Sequence, residues 1–439
     1  MKLFGTDGVR GEAGTFLTPQ LAYKLGLYAA NRLKKEFPNK TVEILIATDT
    51  RISSDMLKAS ISSGIMAAGV NVIDAEVLPT PTVSFLVKEN NYAAGVMISA
   101  SHNVFTDNGI KFFNTNGYKL SDEIEKEIEE AIANEEEIIT TGKDIGILKK
   151  LKNYDSYINL VKKEFHNEGV YGNNRKLKVV IDTANGAAYE LARLIFSDDF
   201  DVFIVSNTPN GININENCGS THMEALKHHV IKNDFDLGIA LDGDGDRMLA
   251  IDSKGNIIQG DELMLIFASY LKERNALKNN TLVATIMSNS ALSEMLSKDG
   301  IDVVKTKVGD RYVLEEMLKI GANLGGEDSG HIIFLDKATT GDGLLSAAIL
   351  LKIVKEVAPL HILNKLVKYP QITLTKEADE NKKKSFETEI IKEKIKSLKE
   401  KHSAVTVRAS GTEPVIRITI EGKDIEEITK DAEALKELI

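Results

Sequence analysis

The sequence predicts an α/β protein with three related α/β domains and a smaller α+β domain at its C-terminus. At 439 residues, the chain is longer than a single hydrophobic core usually supports. Apolar strand, short polar loop and helix recur in that order in segments 42–69, 178–196 and 282–296. Strands that alternate with helices in this way are typical of mixed, largely parallel sheets.

Changes in composition mark the predicted domain boundaries. The charged stretch "EIEKEIEEAIANEEEIITTGKDIG" is helical and then loop-like, and a new helix begins at "YDSYINLVKKEF". From "YPQITLTKEADENKKK" onward the chain is rich in Lys and Glu, with a pattern of strand, helix, strand, strand, helix. With a further boundary near residue 255, the predicted domains are residues 1–150, 151–255, 256–367 and 368–439.

The composition argues against several classes of protein. A formal net charge of -11 disfavours a nucleic-acid or anionic-membrane partner. The single cysteine, Cys218, excludes an intrachain disulfide, and the eight histidines show no HExxH spacing. No apolar run approaches the ~20 residues of a membrane helix, and "MKLFGTDGVRG" lacks the apolar core of a signal peptide. We therefore expect a cytoplasmic protein with no membrane partner.

Two polar loops in the first predicted domain contain candidate site residues. "FGTDGVRG" places Arg10 in a tight glycine loop, which is either a capping turn or a phosphate-binding site. "GVMISASHNVFTDNGIKFF" ends a buried strand with Ser101 and His102 and places Lys111 on the next strand. An ordinary turn and a solvated lysine are the simpler local interpretations. A nucleophilic Ser101 therefore depends on partners elsewhere in the chain.

The strongest chemical signal is "DLGIALDGDGDRMLAID". After an apolar strand, alternation points Asp242, Asp244 and Asp246 the same way, and the intervening glycines let the loop wrap tightly. Three carboxylates in one place need a cation, and hard oxygen ligands suit Mg²⁺ better than Zn²⁺. An EF-hand is excluded because Arg247 and Ser253 stand where it needs Gly and Glu. The remaining alternative is an Asp/Gly-rich turn without metal.

Magnesium held by few protein ligands usually serves a phosphate, so phosphate-binding groups are expected elsewhere. "VTVRASGTEPVIRITI" interrupts two strands with Ser410, Gly411 and Thr412, which are flanked by Arg408 and Arg417. Backbone N–H groups, hydroxyls and guanidinium groups in such a loop can bind phosphate oxygens. An ordinary hairpin is the alternative. Neither GxxxxGK[ST] nor GxGxxG occurs, so a P-loop or Rossmann phosphate site is not indicated.

A third polar loop, "GANLGGEDSGHIIF", brings Glu327, Ser329 and His331 to the start of a strand. A carboxylate and a hydroxyl there can bind sugar hydroxyls. His331 has either a structural role or an acid/base or phosphate-binding role. The preceding "KVGDRYV" adds Arg311 as a weaker candidate.

Four of these motifs together resemble a known family. "SASHN", "DGDGDR", "GEDSGH" and "RASGTEP" occur in the order, and at roughly the spacing, of the signature loops of the α-D-phosphohexomutases, and the resemblance covers essentially the whole chain. "FGTDGVRG" and "CGSTH" resemble the branch that acts on glucosamine phosphates. Val104 stands where proline commonly follows the first motif, and Asp328 where that branch commonly has Gln.

The resemblance implies three α/β domains and a smaller α+β domain around a central cleft. It implies interconversion of glucosamine 6-phosphate and glucosamine 1-phosphate through a bisphosphorylated sugar, a step toward UDP-N-acetylglucosamine and peptidoglycan. Ser101 resembles the family's phosphoserine. One Mg²⁺ would be held by Asp242, Asp244, Asp246 and a phosphoserine oxygen. A sugar 1,6-bisphosphate would act as activator, and a homodimer is expected.

The resemblance also implies roles for the other candidates. Lys111 resembles the proposed general acid/base, and His102 would orient the phosphoserine. Arg10 and Arg247 would offset the negative charge, and His331 would assist as an acid/base or phosphate-binding group. The remaining residues would hold the sugar or its phosphates: Glu327, Ser329, Arg311, Arg408, Ser410, Gly411, Thr412 and Arg417.

Other functions remain open on the sequence alone. A family member acting on mannose or glucose phosphates would use the same mechanism. A metal-dependent phosphatase would pass the phosphoryl group from serine to water. A non-catalytic sugar-phosphate sensor would keep the binding loops, but it would have no reason to keep both Ser101 and a complete acidic loop.

Overall fold

A computed structural model of the chain describes residues 2–5, 7–38, 40–135, 137–165, 175–386, 388–410 and 414–439, without the side chain of Glu380. Internal contacts divide the chain into two compact units. The first unit is Met1–Ile286 with Val303–Asn364, and the second is Met287–Asp302 with Lys365–Ile439. The predicted division into four domains stays a prediction.

The first unit begins with a six-stranded sheet in the order β1-β5-β4-β2-β3-β6. Its strands are β1 (Val9–Glu12), β2 (Glu43–Thr48), β3 (Asn71–Val77), β4 (Ala94–Ile98), β5 (Asp107–Asn114) and β6 (Leu148–Lys150). Its helices are α1 (Pro19–Lys34), α2 (Ser54–Ala67), α3 (Thr80–Glu89) and α4 (Asp122–Ala133). Every residue of β4 is buried, as expected for a central strand covered on both faces.

Strand direction in this sheet decides where the polar loops lie. β2 pairs in parallel with β3 and β4, whereas β5 runs antiparallel to both β4 and β1. The turn between β4 and β5 therefore lies at the carboxyl end of the parallel strands, which is where open α/β sheets usually place their ligand sites.

A second sheet in the first unit has five strands in the order β11-β10-β9-β7-β8. The strands are β7 (Lys178–Asp182), β8 (Asp201–Val205), β9 (Leu237–Leu241), β10 (Met248–Asp252) and β11 (Ile257–Ile258), accompanied by helices α5 (Asp155–Lys162), α6 (Leu191–Phe196) and α7 (Glu224–Lys232). β9 and β10 are buried throughout and form an antiparallel hairpin in which Leu241 pairs with Met248. The acidic segment 242–247 is the loop of this hairpin.

The third sheet has four strands in the order β13-β12-β14-β15. The strands are β12 (Thr281–Thr285), β13 (Asp302–Thr306), β14 (Leu324–Gly326) and β15 (Ile332–Phe334). The helices in this part of the chain are α8 (Gly260–Glu273), α9 (Ser290–Lys298), α10 (Asp310–Ile320), α11 (Gly343–Glu356) and α12 (Leu360–Leu363), of which α9 belongs to the second unit. Short 3₁₀ turns occur at Gly142–Asp144 and Lys278–Asn280.

The second unit contains a three-stranded antiparallel sheet in the order β16-β18-β17. Its elements are β16 (Gln371–Glu377), α13 (Glu380–Ser385), α14 (Glu389–Lys401), β17 (Ala404–Ala409), β18 (Val415–Glu421) and α15 (Ile425–Leu438). Alternate residues of β16 and β18 turn inward, and Ile418, Ile428 and Leu435 contribute to one apolar core. The predicted α+β architecture of this region and the predicted α/β class of the rest are confirmed.

Within the described residues, no helix combines the length and the apolar composition needed to span a bilayer.

Candidate active site

Ser101 lies in the turn that follows β4. Its φ angle of 55° is left-handed, a conformation that residues other than glycine rarely adopt. The buried hydroxyl donates a hydrogen bond to Asp242 Oδ2 at 2.5 Å. The polar partner that Ser101 needs therefore comes from a segment 141 residues further along the chain.

The three aspartates of the β9–β10 loop form one buried cluster. Carboxylate oxygens of Asp242, Asp244 and Asp246 lie within 4.8 Å of one another. Gly245 has a φ of 69° and supplies the left-handed turn between two of them. Thr80, the first residue of α3, donates its hydroxyl to Asp244 Oδ2 at 2.6 Å and its N–H to Asp244 O at 2.9 Å.

Lys111 on β5 places its ammonium group beside this cluster. Its Nζ lies 2.7 Å from Asp244 Oδ2, 3.8 Å from Asp246 Oδ2 and 3.2 Å from Asp7 Oδ2. The Lys111 side chain is only 1% exposed, which excludes the alternative of a solvated strand lysine. Asp7, in the N-terminal glycine loop, also pairs with Arg10.

The aspartates of the cluster differ in how readily they ionise. Burial, together with the negative charges of Asp246 and Asp244, raises the pKa of Asp242 well above its ordinary value. Burial also opposes ionisation of Asp246, but its contacts with His331 and Lys111 hold its pKa well below the usual range. The protein's own cations therefore do not neutralise all three carboxylates.

The donor set fits magnesium. The residues supply carboxylate oxygens, which Mg²⁺ prefers. Within the described part of the chain, Asp244 Oδ1 and Asp246 Oδ1 are buried without a hydrogen-bond partner, and a buried carboxylate oxygen normally has one. A divalent cation would satisfy both atoms and offset the negative charge that, together with burial, keeps the pKa of Asp242 high. The predicted acidic triad for magnesium is present.

Arg247 and His102 connect the acidic loop with the serine loop. Arg247 donates its backbone N–H to Asp242 Oδ1 at 3.1 Å, and its Nη1 lies 3.1 Å from His102 Nδ1. Burial and the positive charges of Arg247 and Arg10 lower the pKa of His102 to about 4. His102 is therefore neutral at pH 7, and its Nδ1 accepts the hydrogen bond from Arg247.

His331 lies close to both Asp246 and Asp310. Its Nδ1 is 3.6 Å from Asp246 Oδ2 and its Nε2 is 3.7 Å from Asp310 Oδ2. Burial lowers the pKa of His331, but these carboxylates outweigh it and raise the pKa above its ordinary value. The N–H of Gly341, however, donates to Nε2 at 3.0 Å and requires an unprotonated Nε2. We assign a neutral ring with its proton on Nδ1, because the contact between Gly341 N–H and Nε2 has hydrogen-bond length, whereas the carboxylate contacts at 3.6 and 3.7 Å do not.

The predicted sugar-binding loop precedes His331. Glu327 accepts a hydrogen bond from the N–H of Gly309 at 3.0 Å, while Ser329 is exposed. Asp328 accepts from the backbone N–H of Asp261 at 3.0 Å, and its carbonyl accepts from Gly260 at the start of α8. The carboxylate of Asp328 is therefore engaged with the N-terminus of α8, where it stabilises the positive end of the helix.

Arg311 is engaged outside the acidic cluster. Its guanidinium pairs with Asp122 at 2.5 Å, Glu315 at 3.2 Å and Glu125 at 3.7 Å. Arg311 is itself part of α10, so its side chain links α10 to α4. Its neighbour Asp310 is the residue that approaches His331.

The predicted phosphate loop belongs to the second unit. Arg408 and Arg417 are directly opposite each other on β17 and β18, and Ser410 is buried with its N–H bonded to Val415 O at 2.9 Å. Gly411 and Thr412 lie outside the described residues. Like charges directly opposite each other on a sheet are destabilising, so this arrangement suits an anion.

Sequence reasoning missed several residues that contact the site. Thr80, Asp7 and Asp310 were not among the candidates, and neither was Lys119, whose Nζ lies 2.6 Å from Asp310 Oδ2 and also pairs with Asp7. Asp7 and Asp310 lie inside the motifs "FGTDGVRG" and "KVGDRYV", which also contain the candidates Arg10 and Arg311. Thr80 and Lys119 carry no comparable local signal.

Four consecutive segments of the chain match one family. They match the phosphoglucomutase/phosphomannomutase alpha/beta/alpha domain I over residues 1–138, domain II over 155–255, domain III over 259–369 and the C-terminal domain over 367–438. The chain belongs to this phosphohexomutase family and is a mutase, as the motifs predicted.

Within the family, the chain is similar over its full length to phosphoglucosamine mutases. It is 47% identical to that of Acetivibrio thermocellus and 47% identical to that of Ruminiclostridium cellulolyticum, with 100% of this chain and 98% of each relative covered. The fold also matches a phosphoglucomutase/phosphomannomutase family protein from Burkholderia thailandensis, with a TM-score of 0.82, 22% identity and coverage of 100% and 96%. At that identity the last likeness concerns the fold alone.

Proposed function

We propose that the protein interconverts glucosamine 6-phosphate and glucosamine 1-phosphate. The sugar is suggested by the similarity to phosphoglucosamine mutases across the whole chain. The observation that carries the mechanism is the 2.5 Å hydrogen bond between Ser101 Oγ and Asp242. It places a hydroxyl at the edge of an acidic cluster suited to Mg²⁺, where a phosphoserine would share the metal.

The reaction would move a phosphoryl group between Ser101 and the sugar. The Oγ–P bond of phosphorylated Ser101 breaks as a sugar hydroxyl oxygen bonds to the phosphorus, which leaves a bisphosphorylated sugar and a free serine. After the sugar reorients, its other phosphate returns to Ser101 by the reverse step, and the positional isomer leaves. A sugar 1,6-bisphosphate would supply the first phosphoserine.

Charged groups around Ser101 would stabilise the transfer. Magnesium bound by Asp242, Asp244, Asp246 and a phosphoserine oxygen would neutralise charge on the transferred group. Arg247 and Arg10 would offset the remaining negative charge. His102, neutral and hydrogen-bonded to Arg247, would orient the phosphoserine.

Proton movement is assigned to Lys111. Its ammonium group is buried 2.7 Å from Asp244 Oδ2, next to the acidic cluster. The ammonium group would give a proton to the departing Oγ of Ser101, and the amine left behind would take the proton of the attacking sugar hydroxyl, so that a free serine and a charged lysine both result. His331, close to Asp246, would hold the metal ligands in place and assist phosphate binding.

Other residues are proposed to recognise the substrate. Glu327 and Ser329 would bind sugar hydroxyls, and Arg311, whose guanidinium pairs with Asp122, would fix this region. The phosphate that is not reacting would be bound by residues of the second unit: Arg408, Ser410, Gly411, Thr412 and Arg417. Binding of this phosphate can orient the sugar in the forward and in the reverse reaction, although none of its bonds is formed or broken. We also expect a homodimer.

The test is the initial kcat/KM in Mg²⁺, with a trace of bisphosphate, for the 6-phosphates of glucosamine, glucose, mannose and N-acetylglucosamine. We expect a strong preference for glucosamine 6-phosphate. A preference for glucose or mannose phosphate would preserve the mechanism and overturn the sugar. Release of inorganic phosphate faster than isomerisation would indicate a phosphatase.

A further inference from the structure

Asp49 and Arg51 form a buried ion pair beneath the serine loop. Arg51 Nε donates to Asp49 Oδ2 at 2.8 Å, and neither side chain has any exposed surface. Removing two charges from water is costly unless further hydrogen bonds compensate. The other donors of Arg51 therefore indicate what this pair does.

The remaining donors of Arg51 bind the backbone of the serine loop. Nη2 donates to the carbonyls of Ser101 and Asn103, each at 2.9 Å. Nη1 donates to the carbonyl of Asp107 at 3.1 Å and to that of Val104. A planar guanidinium with five fixed donors can hold this set, whereas a lysine has three donors around one atom.

The same ion pair also reaches the other side of Ser101. The N–H of Ser101 donates to Ser99 Oγ at 3.0 Å, and Ser99 Oγ donates to Asp49 Oδ2 at 2.6 Å. Asp49 thus holds the peptide before Ser101 through Ser99, and Arg51 holds the peptide after it directly. These two peptide planes define the left-handed backbone of Ser101, with its φ of 55°, which is unfavourable without such support.

Asn215 attaches the serine loop to the part of the fold that carries the aspartates. Its Nδ2 donates to the same two carbonyls, those of Ser101 at 2.9 Å and Asn103 at 3.0 Å. Gly243 packs against this contact: a Cβ there would lie 2.6 Å from Ser101 O and 2.8 Å from Asn215 Nδ2. The acidic loop can therefore approach the Ser101 carbonyl only because residue 243 is glycine.

We propose that Asp49, Arg51 and Asn215 are positioning residues for phosphoryl transfer. They form a clamp that fixes both peptides of Ser101 and aims its Oγ at Asp242, without touching the reacting atoms. The proposal rests on the phosphoryl-carrying role of Ser101 proposed above. It predicts that loosening the clamp slows transfer more than it weakens substrate binding.

The decisive variant is Arg51→Lys, which keeps the charge opposite Asp49 but cannot satisfy the loop carbonyls. Ser54→Ala is the matched control, because Ser54 Oγ donates to Asp49 Oδ1 at 3.1 Å and accepts from Asn108. Each protein would be phosphorylated with glucose 1,6-bisphosphate. Transfer to glucosamine 6-phosphate would then be followed in a single turnover, together with steady-state KM and urea unfolding.

We expect Arg51→Lys to slow the single-turnover transfer by about 100-fold, with KM changed by less than about threefold, since a misplacement of roughly 1 Å has effects of this size. Asn215→Ala should slow it by about tenfold, and Ser54→Ala should stay within about threefold of wild type. The slow transfer of Arg51→Lys should persist at temperatures where urea unfolding shows the variant fully folded.

Two results would overturn the clamp while leaving the proposed function intact. One is a wild-type transfer rate in Arg51→Lys. The other is a transfer rate of Arg51→Lys that returns to the wild-type value at temperatures where the variant is fully folded. That result would show that Arg51 acts in folding alone. Ser101→Ala, measured in parallel, separates the two proposals: full turnover in that variant would instead remove Ser101 as the phosphoryl carrier.

Discussion

At the scale of single residues, the hydroxyl of Thr80 donates to Asp244 Oδ2 at 2.6 Å, beside the ammonium group of Lys111 at 2.7 Å. We predict that Thr80→Val weakens Mg²⁺ binding about tenfold, because residues that orient a metal ligand typically contribute that much to affinity. The measurement is direct titration of Mg²⁺, or of Mn²⁺ by electron paramagnetic resonance, without substrate.

Thr80→Ser is the control for this prediction, because it restores the hydroxyl and should restore metal affinity. Asp244→Asn, which alters a proposed ligand itself, should weaken binding at least as much as Thr80→Val. An unchanged metal affinity in Asp244→Asn would contradict the assignment of the triad as the magnesium site.

At the scale of secondary-structure elements, Asp342 caps the N-terminus of α11. It accepts the N–H of Leu345 at 2.9 Å and the hydroxyl of buried Tyr157 at 3.0 Å. Burial raises the pKa of Asp342 from 3.8 to about 6. The folded state therefore binds a proton at the Asp342 carboxyl more tightly than the unfolded state does. The protonated carboxyl stabilises the folded state at low pH, and this stabilisation is lost as the pH rises from about 4 through 6.

Asp342→Asn keeps a capping oxygen but removes this titration. We predict that the free energy of unfolding of the variant minus that of wild type increases by about 2 kcal/mol from pH 4 to pH 7, because only wild type loses stability over this range. Urea unfolding at several pH values measures this difference. A difference that does not vary with pH would show that Asp342 does not titrate in this range.

The start of α8 supports a second prediction at this scale. Asp328 accepts the N–H of Asp261, so Asp328→Ala should lower the free energy of unfolding by about 1 kcal/mol, as for the loss of a helix cap. Because this carboxylate is bound to the helix, the preference among hexose 6-phosphates should not change. A changed preference would assign the side chain of Asp328 to sugar recognition.

At the scale of the whole molecule, the second unit contains a pair of arginines, Arg408 and Arg417, opposite each other on two paired strands. We predict that Arg408→Gln raises the KM for the sugar phosphate by at least about tenfold, since charge-assisted hydrogen bonds to phosphate are strong. Stability should stay the same or rise by up to about 1 kcal/mol, because a like-charge pair is removed.

The control is Lys376→Gln on β16, which removes the same charge from the same sheet at a position opposite Ile416. Steady-state kinetics and thermal unfolding are measured for both variants. Equal effects on KM would point to the net charge of the unit and away from a specific phosphate site.

The fold class could be predicted because its causes are local. Apolar runs such as β4 and β9 are buried at every residue, and strand–loop–helix repeats lead to α/β sheets in the structure. Alternation after β9 also placed the three aspartates of one loop together, as predicted. The compact units were not predictable in the same way, because helix α9 belongs to the second unit although it lies far from Lys365–Ile439 in the chain.

The site was predicted where several chemical groups share one short motif, and missed where one polar residue acts across a long separation. Thr80 contacts Asp244 over 164 residues, and Asn215 contacts Ser101 over 114. Arg51 resembles any polar residue at the start of a helix until its five donors are followed in space. Asp328, placed by its motif among sugar-binding residues, directs its carboxylate to α8.

The sequence by itself determined the α/β architecture, the phosphohexomutase family and the acidic triad, because periodicity and short motifs are properties of neighbouring residues. Only the tertiary structure decided which oxygen faces Ser101, which groups His331 and His102 contact, and how Ser101 is held in a left-handed conformation. Those features depend on burial and on hydrogen bonds between distant segments, and both arise only when the chain has folded.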